Sequence, residues 1–136
     1  MYRTKRPENG SVFEMARVVN KQRRECWSAR KISEILGYSE YRHFLPVIDK
    51  AKEACANSGH NIANHFEEYL EMVDIGSGAR RNIEDVKLSR YACYLIIQNA
   101  DPGKKIVAVG QTYFAIQTRR QELSDEYRKL ETEEER

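Results

Sequence analysis

The 136-residue chain is 40% hydrophobic and 32% charged, a composition that indicates one globular domain and excludes a disordered chain. Its net charge of +2 excludes a histone-like polycation, and three scattered cysteines with no CxxC pair exclude a disulfide framework and a zinc site. No apolar run approaches the roughly 18 residues that a membrane span needs, and the N-terminus is polar and basic, which predicts no membrane span and no signal peptide. We therefore expect a cytoplasmic protein with no membrane partner and no cofactor.

A basic arm and a short helix are predicted at the N-terminus. Pro7 and Gly10 interrupt regular structure, so residues 1–11 are expected to form a flexible basic arm. Ser11 is expected to cap a first helix with apolar residues at positions 12, 13, 16 and 19. The body of the domain is predicted over residues 12–123, and an acidic helical tail over 124–136.

A helix-turn-helix-like corner is predicted next. Ser28 is expected to begin a second helix that Gly37 ends, because glycine adopts the left-handed conformation beyond a helix C-terminus at low cost. Ser39 is expected to cap a third helix over 40–57, with Pro46 kinking this helix or delaying its start. The order of helix, tight turn and helix is that of a helix-turn-helix, although an ordinary helical corner explains it equally well.

A β-hairpin and two further helices complete the predicted fold. The Gly76–Gly78 triplet is a turn signal between residues 66–75, whose pattern is ambiguous between strand and helix, and a returning strand near 83–86. Ser89 is expected to cap a buried helix, and Asp101-Pro102 to start a long terminal helix. The predicted fold class is therefore α+β and mainly helical, with a small β-hairpin and a long C-terminal helix.

The terminal helix carries an apolar stripe at nearly heptad spacing. Its members are Ile106, Val109, Tyr113, Ile116, Leu123, Tyr127 and Leu130. The stripe is a candidate face for a homodimer or for another protein partner. Tyr113 and Phe114 also suit the stacking of bases in a single-strand binder, although aromatic residues on such a helix are more often part of a core.

No residue pattern indicates catalysis. His60 and His65 have no companion cysteine, and their spacing does not place two metal ligands on one helix face. The Gly76–Gly78 triplet is neither a nucleophile elbow nor a phosphate-binding loop, and the carboxylates are scattered along the chain. We expect a protein that is not an enzyme and that binds no metal.

The uneven distribution of charge suits an anionic partner. Residues 1–42 hold ten basic and five acidic residues, whereas residues 122–136 hold three basic and seven acidic residues. Candidate nucleic-acid contacts lie at the second helix of the corner, at the hairpin tip and at the start of the terminal helix: Arg42, His43, Arg80, Arg81, Lys104 and Lys105. A solvated surface explains each of these groups equally well.

The chain resembles the DNA-damage-inducible protein D family in three stretches: FEMARVVN, WSARKISEILGYSEYRHFLPVIDKAKEACANSGHNIANHF and IGSGARRNIEDVKLSRYACYLIIQNADPGKKIVAVGQTYFAIQTRRQEL. Its first half also resembles, more loosely, the Bro N-terminal domain of viral and phage antirepressors, which is associated with DNA binding. Members of the first family are regarded as modulators of the RecA filament on single-stranded DNA in the bacterial SOS response, and not as enzymes. The resemblance implies these partners for this chain and supplies no catalytic residues.

The sequence thus predicts a regulator that binds DNA, single- or double-stranded, or a RecA filament, and that modulates the recombinase. The alternatives are a sequence-specific transcriptional regulator of the antirepressor kind and a dimerising protein–protein interaction module. Proteins of the resembled family usually continue beyond such a domain, so we expect either a short homologue or an N-terminal fragment.

Overall fold

The elements of the fold are given by a computed structural model, which describes residues 9–134 and the side chains of residues 12–133. Most of the predicted N-terminal arm therefore lies outside the described residues. In chain order the helices and strands are α1 (Asn9–Ala16), β1 (Val18–Val19), β2 (Glu25–Ser28), α2 (Ala29–Ile35), α3 (Leu45–Asn57), β3 (Phe66–Gly76), β4 (Ala79–Leu88), α4 (Arg90–Asn99) and α5 (Lys105–Glu134). The predicted class, mainly helical α+β, is confirmed.

The strands form one four-stranded antiparallel sheet in the order β1-β2-β4-β3. The predicted hairpin is confirmed as β3 and β4, which pair from Phe66 opposite Leu88 to Gly76 opposite Ala79. The prediction of a single hairpin was incomplete, because β1 and β2 form a second, shorter one. Position 19, assigned to the first helix, lies in β1, where a β-branched valine packs well on a pleated strand.

One hydrophobic core joins the helices to the base of the sheet. Each of the five α-helices and the strands β2, β3 and β4 contributes buried residues, among them Phe13, Trp27, Ile32, Ile48, Phe66, Leu88, Ile96 and Val107. The indole Nε1 of Trp27 donates a hydrogen bond of 2.7 Å to the backbone oxygen of Phe13, so the buried N–H of this large side chain is satisfied. Cys55 and Cys93 are buried in the same core as unpaired thiols.

The predicted helix starts at Ser28 and Ser89 are confirmed, because each hydroxyl oxygen accepts a backbone N–H at the first turn of the following helix. Gly37 follows α2 with a φ of 81°. The predicted cap at Ser39 is wrong, since α3 begins only at Leu45. Pro46 lies in the first turn of α3, and its ring is incompatible with helix over the preceding residues, which form a short 3-10 turn instead.

Helix α5 is packed along its first part only. Its 30 residues correspond to a length of about 45 Å. Val107 and Gly110 are buried, whereas every described side chain from Thr118 to Glu133 is exposed. The second half of the predicted long helix therefore projects from the body of the domain by about 24 Å.

Candidate nucleic-acid interface

Arg42 and His43 lie in the 3-10 turn Tyr41–His43, and both contact the side chain of Glu40. The carboxylate oxygen Oε2 of Glu40 is 2.7 Å from Nε of Arg42 and 3.4 Å from Nε2 of His43. All three side chains are exposed. The acidic neighbour offsets part of the positive charge that this turn offers to a phosphate.

The same turn is attached to the sheet through Tyr41 and Arg30. The guanidinium of Arg30 lies 4.2 Å from the ring centroid of Tyr41, and its Nε donates a 2.6 Å hydrogen bond to the backbone oxygen of Glu84. Burial, assisted by the charge of Asp85, raises the pKa of Tyr41 to about 12. Sequence reasoning missed Arg30, because its role depends on a strand 54 residues further along the chain.

Asp85 connects the base of the hairpin to the start of α2. Its side chain is buried, with 3% of the residue exposed. Its carboxylate accepts hydrogen bonds from the Ser28 hydroxyl, from the Arg30 N–H at 3.1 Å, from the Tyr69 hydroxyl at 3.0 Å and from the Val86 N–H at 2.7 Å. Four donors compensate the cost of burying this charge. The corner and the hairpin are thereby fixed to one another.

The hairpin projects beyond this anchor. Ser77 and Gly78 have φ values of 51° and 75°, the signs that a type I′ turn requires. From Tyr69 to the turn, seven residues extend the hairpin by about 24 Å, and most side chains on both of its faces are exposed. Near the tip, Nε of Arg80 is 3.1 Å from a carboxylate oxygen of Asp74. Arg81 is exposed and pairs opposite Val73 in the strand register.

Lys104 and Lys105, although adjacent in sequence, have different surroundings. Nζ of Lys104 donates a 3.1 Å hydrogen bond to the backbone oxygen of Gly37 and lies 4.8 Å from the ring centroid of Tyr38. This lysine therefore joins the end of α2 to the start of α5. Lys105 is exposed in the first turn of α5. A cation does not stabilise a helix N-terminus, so Lys105 has no evident role in helix stability.

The six predicted contacts therefore do not form one patch. Arg42, His43 and Lys104 lie around the corner, whereas Arg80 and Arg81 lie further out on the hairpin. Arg30 of the corner donates a hydrogen bond to the backbone oxygen of Glu84 in β4. Arg80 lies four residues from Glu84 on the same strand, a distance of roughly 13 Å.

The apolar stripe of α5 divides into two parts. Tyr113 is half-buried and lines a cavity with Phe13 and Trp27. Phe114 packs against Tyr94, with ring centroids 4.5 Å apart, so it belongs to the border of the core. The remaining large side chains of the stripe beyond this point are exposed: Ile116, Leu123, Tyr127 and Leu130.

Sequence reasoning missed a structured basic turn between β1 and β2. The side-chain oxygen of Asn20 accepts hydrogen bonds of 2.9 Å from the N–H groups of both Gln22 and Arg24. The side chains of Lys21, Arg23 and Arg24 are exposed. A signal was present in the sequence, because a polar run of six residues separates the valines of β1 from Cys26 and Trp27.

His65 takes part in a helix cap. Nδ1 of His65 is 2.7 Å from the hydroxyl oxygen of Ser89, which also accepts the Ala92 N–H at the start of α4. Within the described part of the chain, no three or more His, Cys, Asp or Glu side chains are grouped so that they could hold a metal ion. Over the same residues, no helix combines the length and apolar character needed to cross a membrane.

Residues 15–115 match the model of the BRO family, N-terminal domain, and the chain belongs to this family. It is also 57% identical over 131 residues to DNA damage-inducible protein D of Escherichia coli strain K12. That match covers 95% of this chain and 48% of the relative, so the chain spans about half the length of the relative. Both resemblances expected from the sequence are confirmed; no solved structure shows significant similarity to the chain.

Proposed function

We propose that this chain is the DNA-contacting part of a non-enzymatic regulator of the DNA-damage response. It binds DNA, or a RecA filament on single-stranded DNA, and thereby modulates the recombinase. The observation that carries the proposal is the 57% identity, over 95% of the chain, to a protein whose name records induction by DNA damage. Membership of the BRO family supports the same role.

The hairpin is the best-suited contact among the residues predicted from the sequence. A two-stranded β-ribbon fits the major groove of DNA, and its arginines can also follow the phosphate backbone. Arg81 is exposed at the outer end of the ribbon. Among the described residues Arg80 forms an ion pair with the exposed Asp74 alone, and a DNA phosphate can replace this partner. Arg42 and Lys104 already contact groups of the protein, so they contribute less.

The test is fluorescence anisotropy of labelled single-stranded DNA, bare and coated with RecA and ATP, and of a labelled duplex, at two salt concentrations. We expect the chain to bind, and to bind more weakly at the higher salt, because each neutralised phosphate releases counterions. The double variant Arg80→Ala/Arg81→Ala should weaken binding and lower the salt dependence by about one released ion for each phosphate that the variant no longer neutralises.

A matched control is Arg128→Ala/Lys129→Ala, which removes the same charge from the projecting half of α5. If the control weakens binding as much as the hairpin variant, the hairpin is not the contact. Binding that is insensitive to salt, or absent with the duplex and with both bare and coated single strands, would refute the proposed function.

A second candidate function is homodimerisation through the projecting half of α5, which the exposed stripe favours. Ile116, Leu123, Tyr127 and Leu130 are each 47% to 65% exposed, on a helix that is elsewhere polar at this end. Two such helices would bury these side chains against one another as a two-stranded coiled coil. The expected occupant of the stripe is therefore a second copy of the chain.

Charge favours an antiparallel arrangement of the two helices. In a parallel pair, Arg120 would face its own copy in the seam, and Glu126 would lie beside the partner's Glu131. In an antiparallel pair centred between residues 121 and 122, Arg119 lies beside the partner's Glu126, and this contact occurs twice. Flanking charges of this kind set the orientation of coiled coils.

Light scattering tests the dimer. We expect a mass of twice 15.9 kDa for the chain, and a monomer for Leu123→Lys, because a charge in the seam is costly to bury. Thr118→Lys, on the opposite side of the helix, is the control and should remain dimeric. A monomeric wild-type chain at high micromolar concentration would contradict the dimer.

A further inference from the structure

The turn between β1 and β2 is a rigid support for three cations. Two backbone hydrogen bonds add to the two that the Asn20 side chain accepts. The Asn20 N–H donates to the backbone oxygen of Arg24 at 2.9 Å, and the Arg23 N–H donates to the backbone oxygen of Asn20 at 3.0 Å. Arg23 has a φ of 63°, a conformation that costs energy for a residue other than glycine. This left-handed residue is the one that closes a three-residue hairpin loop, so the backbone of the turn is fixed.

The cations of this turn are not neutralised by their neighbours. Within the described residues, Lys21, Arg23 and Arg24 have no ion pair, unlike Arg42 and Arg80. The nearest acid in sequence is Glu25, which is bound by Arg90 at 2.8 Å and by Arg17 at 3.3 Å. Arg90 also holds Glu14 at 2.8 Å, so two arginines and two glutamates balance one another. The positive charge of the turn therefore remains available to an anion.

A cleft of about 500 Å³ adjoins the turn. Asn20, Gln22 and Arg24 form one wall, and the opposite wall comes from the start of β3, the end of β4 and the short turn before them: Asn64, His65, Glu67, Lys87 and Ser89. A volume of this size is in the range of small-ligand sites. The cleft thus combines cations and side-chain amides with two acids: Glu25, which Arg17 and Arg90 neutralise, and Glu67, which has no ion pair among the described residues.

This cleft lies far from the hairpin tip. Strand β2 runs antiparallel to β4, with Trp27 opposite Leu88, so the β1–β2 turn lies beyond the end of β4. The hairpin tip lies beyond the other end of β4, at Ala79. Ala79 is nine residues from Leu88, so the two turns are separated by roughly 30 Å. The two basic turns occupy opposite ends of one sheet.

We propose that the β1–β2 turn and its cleft form a binding site for single-stranded DNA, in addition to the contacts of the hairpin. Lys21, Arg23 and Arg24 contact successive phosphates, and the amides of Gln22 and Asn64 bind the edge of an unpaired base in the cleft. A concave polar site admits an unstacked base, whose edges are accessible, and not the paired bases of a duplex. The choice of DNA as the ligand rests on the proposed function, whereas the cations and the cleft that form the site do not depend on it.

The test uses a fluorescein-labelled oligothymidine of fifteen residues and a duplex of the same length, titrated with the whole chain at low salt. Lys21→Ala/Arg24→Ala should weaken binding of the oligothymidine about tenfold and lower its salt dependence by about 1.4 released ions, about 0.7 for each lost phosphate contact. Arg23→Gly removes one charge from the turn while relieving its backbone strain, because glycine adopts a positive φ readily. It should weaken binding without lowering the melting temperature, so that unfolding cannot explain the loss.

The outcomes separate this site from the proposed function. Loss of oligothymidine binding in the turn variants, with the Arg128→Ala/Lys129→Ala control unchanged, supports the site. If the chain binds DNA and the turn variants bind as the wild type does, the site is refuted and the proposed function stands. Equal loss for oligothymidine and duplex overturns the single-strand assignment, and a wild-type chain that binds neither bare nor RecA-coated DNA overturns both proposals.

Discussion

Tyr41 connects the 3-10 turn to the sheet, and its environment makes the protein sensitive to alkali. Its pKa is raised from 10 to about 12, first by burial and then by the charge of Asp85. Between these two pH values the unfolded chain loses the tyrosine proton and the folded chain keeps it. The free energy of unfolding must therefore fall as the pH rises from 10 to 12.

Tyr41→Phe cannot ionise, so we expect its stability to fall less steeply over this range. Tyr69, whose pKa is also raised to about 12, would supply the remaining dependence. Urea unfolding at pH 9, 10 and 11, followed by Trp27 fluorescence, measures the effect. Tyr127→Phe is the control, because Tyr127 is 65% exposed. Equal slopes for Tyr41→Phe and the wild type would contradict the prediction.

Residue types alone do not reveal Asp85, Arg30 or the Arg90 network. Asp85 stands between charged and apolar residues in a strand, where an aspartate is ordinarily exposed. Its burial is acceptable only because Ser28 and Tyr69, distant in sequence, supply donors. Similarly, Arg90 finds Glu14 and Glu25 only after α1 and β2 have packed beside α4. Such sites follow from tertiary contacts, which a sequence pattern does not contain.

Among the elements, α5 contains a position where its sequence is not optimal for stability. Gly110 is buried in the helix, and a Cβ there would lie 3.7 Å from Cγ2 of Ile97, an ordinary contact distance. Gly110→Ala should therefore raise the free energy of unfolding by about 0.5–1 kcal/mol, as expected for glycine in a helix interior.

Chemical denaturation measures this gain, and Gly78→Ala provides the contrast. Gly78 has space around it but a φ of 75°, so alanine there should destabilise the turn. A loss of stability in Gly110→Ala would show that the helix cannot accept the added methyl group where it crosses α4.

The elements that the sequence predicted are those with local signals. Caps at Ser28 and Ser89, the stop at Gly37 and the turn at Ser77-Gly78 each depend on the chemistry of a few adjacent residues. Strand β1 has only two residues, which is too short for a periodic pattern. Pro46 was recognised as a delay to α3, but Ser39 remained attractive as a cap because its side chain suits that role in isolation.

Over residues 9–134 the molecule consists of one core and two projections, the distal hairpin and the distal half of α5. Trp27 is 2% exposed and reports on the core alone. About sixteen residues of α5, from Thr118 to Glu133, are exposed, and an isolated helix of this length is marginally stable in water. On heating at low protein concentration, we expect the helical circular dichroism to begin falling before the Trp27 fluorescence changes.

Coincident onset of the two signals at low concentration would contradict this prediction. An onset of the dichroism change that rises with protein concentration would instead identify the dimer as the stabilising partner of the helix. Shortening the chain at residue 118 should remove the early phase and leave the fluorescence transition in place.

The hairpin has a further consequence for the behaviour of the protein at high concentration. Strand β3 is the edge of the sheet along its entire length of eleven residues, and beyond Lys87 the other edge of the ribbon is also uncovered. Leu70, Met72 and Ile75 are exposed along it. Bare strand edges with apolar side chains act as templates for edge-to-edge aggregation, and charged residues oppose such pairing. We therefore expect the acidic residues of β3, at positions 67, 68, 71 and 74, to oppose the pairing of this edge with the edge of another molecule.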